Sequence, residues 1–237
     1  MSKVGDSITA KNANWSFGGD VSKSFDAHVS KSVPLYAVGH DLAVKISDFF
    51  LSPGSTCYEL GCSTGKLTHQ LWQRNKEKKG VRFFGVDREE GMVAEARKRC
   101  EGIGEIEIVQ SDILDATLED ADLIVAYYTL QFVKPKHRQT VINQIYKALN
   151  WGGALLLFEK VRAPDARFQD MMTAVYTDFK IDQGYDAEEI VGKSRSLKGI
   201  LEPFSTQGNL DLLKRAGFVD VMTVMKYVCF EGFLAIK

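Results

Sequence analysis

Two glycines four positions apart, Gly61 and Gly65, follow an apolar run in Tyr58-Glu59-Leu60-Gly61-Cys62-Ser63-Thr64-Gly65-Lys66. Gly61 lets the backbone approach a ligand closely, and Gly65 lets the turn pack tightly before a helix. A phosphate loop needs two more residues between the glycines and Ser or Thr after the lysine, where Leu67 stands. The dinucleotide fingerprint has a glycine where Ser63 stands, so a ligand without phosphates suits the turn better. Phe83-Phe84-Gly85-Val86-Asp87 then ends an apolar run on a carboxylate, 26 positions after Gly61. Asp87 at a strand end can accept both hydrogen bonds of a ribose diol, and it also suits a helix N-cap. In Val109-Gln110-Ser111-Asp112-Ile113, the Asp112 side chain and a backbone amide can read an adenine edge while Ile113 packs on the ring. Three such strand ends in register point to an adenosine-type cofactor.

Positioning these residues takes alternating strands and helices, the pattern of βαβ units and a parallel sheet. The sequence predicts strands over 56–60, 82–86, 106–110, 123–127, 154–160, 219–226 and 228–236. Helices are expected over 67–76, 91–100 and 137–149, with Asn150 and Gly152-Gly153 turning the chain out of the last. Residues 1–16 read as a flexible tail and 17–237 as a single domain, with a helix pair over 25–50 before the first strand. The segment 164–204, with helical periodicity over 168–179 and 187–201, is expected to form a lid, because ligands in open α/β sheets bind outside the carboxyl ends of the strands. Residues 206–216 lead from this segment into the final two strands.

Composition bounds the function. With 30 basic and 31 acidic residues in 237, the formal charge is −1, so there is no global pull on nucleic acid. The charge runs 74–79 and 97–99 read as solvated helix ends. No apolar run reaches the ~18 to 20 residues of a membrane span, and the polar N-terminal stretch lacks the apolar core of a secretory signal. Cys57, Cys62, Cys100 and Cys229 form neither a metal-ligand pattern nor a disulfide framework, which points to reduced thiols in the cytoplasm. No metal site is expected.

The chain resembles class I S-adenosylmethionine-dependent methyltransferases, and within them the carboxy-S-adenosyl-L-methionine synthases of tRNA wobble-uridine modification. The likeness runs from Phe25-Asp26 and Val33-Pro34-Leu35-Tyr36 through Gly61-Cys62-Ser63, Thr129-Leu130-Gln131-Phe132, Leu149-Asn150-Trp151-Gly152-Gly153 and Phe158-Glu159-Lys160. It continues through Asp178-Phe179-Lys180 and Gly184-Tyr185 to Lys214-Arg215-Ala216-Gly217-Phe218. The resemblance implies a Rossmann-like fold with a mostly parallel seven-stranded sheet, helices on both faces and a helical lid. It also implies a homodimer, and a cofactor lined by Tyr36, Gly61, Cys62, Ser63, Asp87, Arg88, Asp112 and Ile113. Glu59, Gly65 and Tyr127 are counted with this set. Two positions depart from the family: Tyr127 stands where an Asn meets the cofactor, and Ser194 stands where an Arg clamps the product's extra carboxylate, with Arg195 one residue later.

Serine lacks the bidentate fork of a guanidinium, and on a helix Arg195 points about 100° away from Ser194. The expected activity is therefore methyl transfer from S-adenosyl-L-methionine to a small-molecule acceptor, leaving S-adenosyl-L-homocysteine. Tyr127, Tyr128 and Arg195 are the candidate catalytic residues. The alternative is carboxy-S-adenosyl-L-methionine synthesis from prephenate, and a third reading is a cofactor-binding subunit without turnover. His40 is expected to pack a helix or lie at the surface, and His28 and His137 to be exposed. Gln131 is placed to position a loop.

Overall fold

The computed structural model describes residues 2–5, 9–18 and 21–237. Seven strands form one sheet: β1 (Thr56–Leu60), β2 (Arg82–Asp87), β3 (Ile106–Gln110), β4 (Ala121–Tyr127), β5 (Leu149–Lys160), β6 (Asp220–Tyr227) and β7 (Phe230–Ile236). Their spatial order is β3-β2-β1-β4-β5-β7-β6, parallel from β3 to β5 and antiparallel where β7 joins β5 and β6. The strand order reverses between β1 and β4, which opens a crevice at their carboxyl ends.

The central strands are buried on both faces, and so β1 and β4 read as nearly continuous apolar runs. Side chains alternate between two cores. Tyr58, Leu60, Ile124, Ala126, Leu155 and Leu157 pack on α5 (Pro135–Ala148) and α8 (Thr206–Ala216). Cys57, Leu123, Val125, Leu156 and Phe158 pack on the other face, towards α2 (Tyr36–Ser47) and α3 (Lys66–Asn75). On that side Val93 and Ala96 of α4 (Glu90–Arg99) form a small cluster with Cys62 and Ile108.

Over the carboxyl ends lie α1 (Val21–Ser32), α6 (Ala166–Asp182) and α7 (Ala187–Ser196). Asp165 caps α6 by accepting from the Phe168 N–H, and Asp186 with Glu189 closes a capping box on α7. The expected lid helix over 187–201 is shorter; residues 197–200 form turns. Among the described residues no helix is long and apolar enough to cross a membrane.

Two expectations are corrected. Asn150 and Gly152-Gly153 belong to β5 rather than to a turn, because Ala121 pairs with Leu149 and the register shifts by a bulge before Leu123 meets Ala154. Nor is the N-terminal segment loose throughout: the Ala13 and Trp15 N–H groups donate to the Arg195 and Ser196 carbonyls, and Trp15 is buried. Residues 1 and 6–8 of that segment lie outside the described residues.

Candidate active site

A cavity of about 590 Å³ opens at the carboxyl ends of β1, β2, β4 and β5, within the roughly 300 to 1,000 Å³ of small-molecule sites. Its first wall is the glycine turn. Gly61 has φ +75°, and a Cβ there would overlap the Thr129 side chain, so only glycine brings this backbone close to a ligand. Gly65 faces away from the cavity; a Cβ on it would lie 3.0 Å from the Ala96 Cβ, so its part is to pack the turn on α4.

Asp87 lines the cavity at the end of β2, and its carboxylate is already oriented. It accepts from the Ser63 N–H at 2.8 Å and the Glu89 N–H at 3.0 Å, joining the glycine turn to the start of α4. Burial pushes its carboxyl above the usual range, while these amides oppose that shift. Asp112 accepts from the Leu114 N–H at 2.9 Å, and Ile113 lies beside it on the wall. Arg88 lies 3.7 Å from Asp112 and reaches Glu89 at 3.0 Å. Glu59, fully inside, accepts from the Thr68 hydroxyl; burial pushes its carboxyl up to about 8, so it is protonated at neutral pH. A close-approach turn, an oriented strand-end carboxylate and a second Asp beside an apolar residue fit the adenosine part of the expected cofactor.

The α1 helix closes over this wall through Asp26, which accepts from the Thr64 hydroxyl at 2.7 Å and from Arg99 at 2.8 Å. Trp15 and Phe17, just before it, also line the cavity.

The far wall is aromatic. Tyr127 donates its hydroxyl to the Tyr36 carbonyl at 2.7 Å, and both rings stand 4.6 Å from the ring of His40. That hydroxyl is spent on packing α2 against β4, so Tyr127 gives the cavity a ring face rather than a proton. Buried His40 bonds Gln70 at 3.0 Å, and burial lowers its pKa to about 4, which makes it a neutral packing residue. Tyr128 differs. Its φ is +58° and it is 7% exposed, yet its buried hydroxyl has no hydrogen-bond partner among the described residues.

The cavity thus brings together Tyr36, Glu59, Gly61, Cys62, Ser63, Asp87, Arg88, Asp112, Ile113, Tyr127 and Tyr128. Arg195 is not among its lining residues: it is exposed on α7, as is Ser194, and Lys193 is the α7 residue that faces in. The expectation of Arg195 at the reacting end is therefore corrected; the turn of the helix carries it outward. His28 is buried rather than exposed, stacked on Trp15 at 5.8 Å and bonded to Lys193. His137 is half-buried at the rim. Gln131 takes the part expected of it, donating to the Tyr128 carbonyl and accepting from the Lys160 N–H. Lys160, which the sequence offers only as part of the family likeness, and Tyr176, which it does not single out, also line the cavity. Lys160 was findable, being a cation at the carboxyl end of an apolar strand, the same signal that marked Asp87. Among the described residues no cluster could hold a metal ion, and all four cysteines are free and buried.

The methyltransferase domain family matches residues 58–153. The chain is similar to the carboxy-S-adenosyl-L-methionine synthase of Wolinella succinogenes, with 36% identity over 218 residues, 90% of this chain and 89% of that protein. It is 33% identical to the Staphylococcus epidermidis protein of the same name over 224 residues, covering 94% and 97%. Among solved structures, a Methanococcus maripaludis protein provisionally described as an S-adenosyl-L-methionine-dependent methyltransferase superposes with TM-score 0.61 at 20% identity, over 97% of both chains. Human N-acetylserotonin methyltransferase, solved with S-adenosylmethionine, gives 0.58 at 18% identity, over 86% of this chain and 52% of that one. These two likenesses concern the fold.

Proposed function

Because the chain belongs to the carboxy-S-adenosyl-L-methionine synthase family of S-adenosylmethionine-dependent methyltransferase-fold enzymes, we propose that this S-adenosylmethionine-dependent transferase moves a methyl group to a small-molecule acceptor. When bound, the cofactor would supply an electrophilic methyl carbon for the acceptor's lone pair, with its sulfur as the leaving group and any displaced acceptor proton passing to solvent. The residues hold and align. Gly61 and Asp87 fix the nucleoside, Asp112 and Ile113 its base, and the Tyr36–Tyr127 pair forms an apolar wall at the reacting end.

The observation that carries methyl over carboxyl transfer is the cavity's arginine content. Among the described residues only Arg88 lines it, at the adenosine end, while Ser194 and Arg195 are exposed on α7. An extra carboxylate on the cofactor would lack a guanidinium fork at a desolvated site. The second reading, carboxy-S-adenosyl-L-methionine synthesis, is favoured by the names of relatives that match nine-tenths of the chain.

Mass spectrometry of the nucleoside released from the purified protein separates the two. S-adenosylmethionine or S-adenosylhomocysteine is expected. A mass raised by one carboxyl group would overturn the methyl reading, and a site that cannot be loaded with either nucleoside would favour a subunit without turnover.

Two finer statements belong to the same proposal. A homodimer is supported by α6, which buries none of its own residues and exposes Phe168, Met171, Val175 and Ile181; sedimentation as a monomer at high concentration would remove it. A cytoplasmic location is supported by the four free, buried thiols.

A further inference from the structure

The carboxyl ends of β2 and β5 are three strand spacings apart, roughly 14 Å. Asp87 ends β2 and anchors the nucleoside end; Lys160 ends β5 at the opposite end of the same cavity. The Lys160 ammonium stands 4.3 Å from the ring centre of Tyr176 and 5.7 Å from that of Phe230. Among the described residues no carboxylate pairs with it. Burial lowers its pKa, the mark of a cation held without a counter-charge. Across Phe230, whose ring is 5.7 Å from that of Tyr128, stands the buried hydroxyl that has no partner.

The two groups are built together. Gln131 donates from Nε2 to the Tyr128 carbonyl at 3.2 Å and accepts at Oε1 from the Lys160 N–H at 2.8 Å, so one side-chain amide fixes both backbones. The Tyr128 N–H is held by the Phe158 carbonyl at 2.8 Å. Five of the carboxyl groups lining the cavity are engaged elsewhere: Glu59 with Thr68, Asp26 with Thr64 and Arg99, Asp87 with two amides, Glu89 with Arg88, and Asp112 with the Leu114 N–H; Glu202, at the rim beside Gln131, forms no ion pair with Lys160. Among the described residues the buried cation has no counter-ion and the buried hydroxyl no partner; each is costly alone, and one anion would offset both costs.

We infer that Lys160 and Tyr128 form an anion clamp that selects an acceptor bearing a carboxylate, one oxygen on the Lys160 ammonium and the other on the Tyr128 hydroxyl. The acceptor's flat apolar body then lies towards Tyr36 and Tyr127, where the methyl group is delivered; the inference rests on the transferase reading for why an acceptor enters at all. Two single donors match the two oxygens of a carboxylate. A phosphate dianion would call for an arginine fork or a nest of backbone amides, and the Tyr128 N–H is already engaged.

The test uses benzoate and its neutral counterpart benzamide, titrated calorimetrically into protein saturated with S-adenosylhomocysteine. Benzoate is expected to bind at least about tenfold more tightly, the strength of one charge-assisted hydrogen bond. Lys160→Met, which keeps an unbranched chain on the rings, should abolish the preference, and Tyr128→Phe should reduce it about threefold to tenfold. In both variants the affinity for S-adenosylhomocysteine should stay within about twofold, which reports that the site is folded. Equal binding of the two probes, no binding of benzoate, or a preference that survives Lys160→Met would overturn the clamp. If S-adenosylhomocysteine itself fails to bind, the transferase reading has failed, and the benzoate preference measured without it still decides the clamp.

Discussion

At the β1–β3 end of the cavity most wall residues stand within a few positions of a strand terminus, with Asp26 of α1 closing over them, whereas the β4–β5 end takes its walls from α1, α2, α6 and α7 as well as from two strands. The first end is held by hydrogen bonds between strand-end side chains and the loops that follow their own or a neighbouring strand, as when Asp87 accepts from Ser63 and Glu89. The second is held by contacts across long stretches of chain: Tyr127 to the Tyr36 carbonyl, Tyr176 to the Ser32 carbonyl, and Ala13 to the Arg195 carbonyl. A parallel sheet fixes the place of its strand ends whatever the loops do. The nucleoside end can thus stay constant while the acceptor end is rebuilt by substitution in segments that meet only in the folded chain.

The largest expected effect breaks the first end alone. Asp87→Ala removes the diol acceptor and leaves the Ser63 and Glu89 amides without their partner. Affinity for S-adenosylhomocysteine should fall by roughly 2 to 4 kcal/mol. Benzoate binding at the other end should change less than about threefold, because among the described residues no hydrogen bond links Asp87 to that end and distant sites are nearly additive. An equal loss for both ligands would mean that the two ends are one unit.

The same division governed what could be read from the sequence. The strands at Thr56–Leu60 and Ile106–Gln110 fell where expected and the helix at Lys66–Asn75 within one residue of it, since turn residues and apolar periodicity bound each of them locally. Asp87 and Asp112 were legible for the same reason. Trp15 was not: its burial depends on backbone bonds from residues 13 and 15 to carbonyls of α7, and nothing within the first 16 residues encodes that docking. Nor could the sequence show that the Tyr127 hydroxyl would be spent on Tyr36 while that of Tyr128, just past the strand end at φ +58°, would have no partner among the described residues, since two adjacent tyrosines look alike until the facing helix is placed. Asn150 to Gly153 carry turn chemistry, yet pairing with β4 and β7 draws them into a strand, a case of tertiary pairing overriding local preference.

A smaller effect should break the second end. Gln131→Leu fills much of the same volume but removes the amide that joins Tyr128 to Lys160, leaving a buried carbonyl and an N–H without partners. Stability should fall by about 2 to 3 kcal/mol in chemical denaturation. Among molecules still folded, benzoate affinity should fall by more than S-adenosylhomocysteine affinity, because the clamp loses its geometry while the glycine turn keeps its own. The reverse ranking would assign Gln131 to the nucleoside end.

The smallest effect sharpens the comparison through pH. His40 packs on Tyr36 and Tyr127 and bonds Gln70, and burial holds its folded pKa at about 4, below the unfolded 6.5. A lowered histidine pKa means that folding favours the neutral ring. Its contribution is complete above pH 6.5 and is lost as pH falls towards 4, amounting to about 2 kcal/mol between pH 7 and pH 5. Glu59 and Glu159, whose buried carboxyls titrate at about 8, respond oppositely: they favour the folded state at low pH and lose that contribution as pH rises from 4.5 towards 8. The wild-type curve is therefore a sum of opposing slopes, and the ring is isolated only by difference. In His40→Gln, an uncharged replacement, the stability difference from wild type should shift by about 2 kcal/mol in the variant's favour on going from pH 7 to pH 5, read by urea denaturation at both values. A difference that does not change with pH would mean that the ring reaches water, and with it that the packing of α2 against Tyr127 is looser than the 4.6 Å ring separations require.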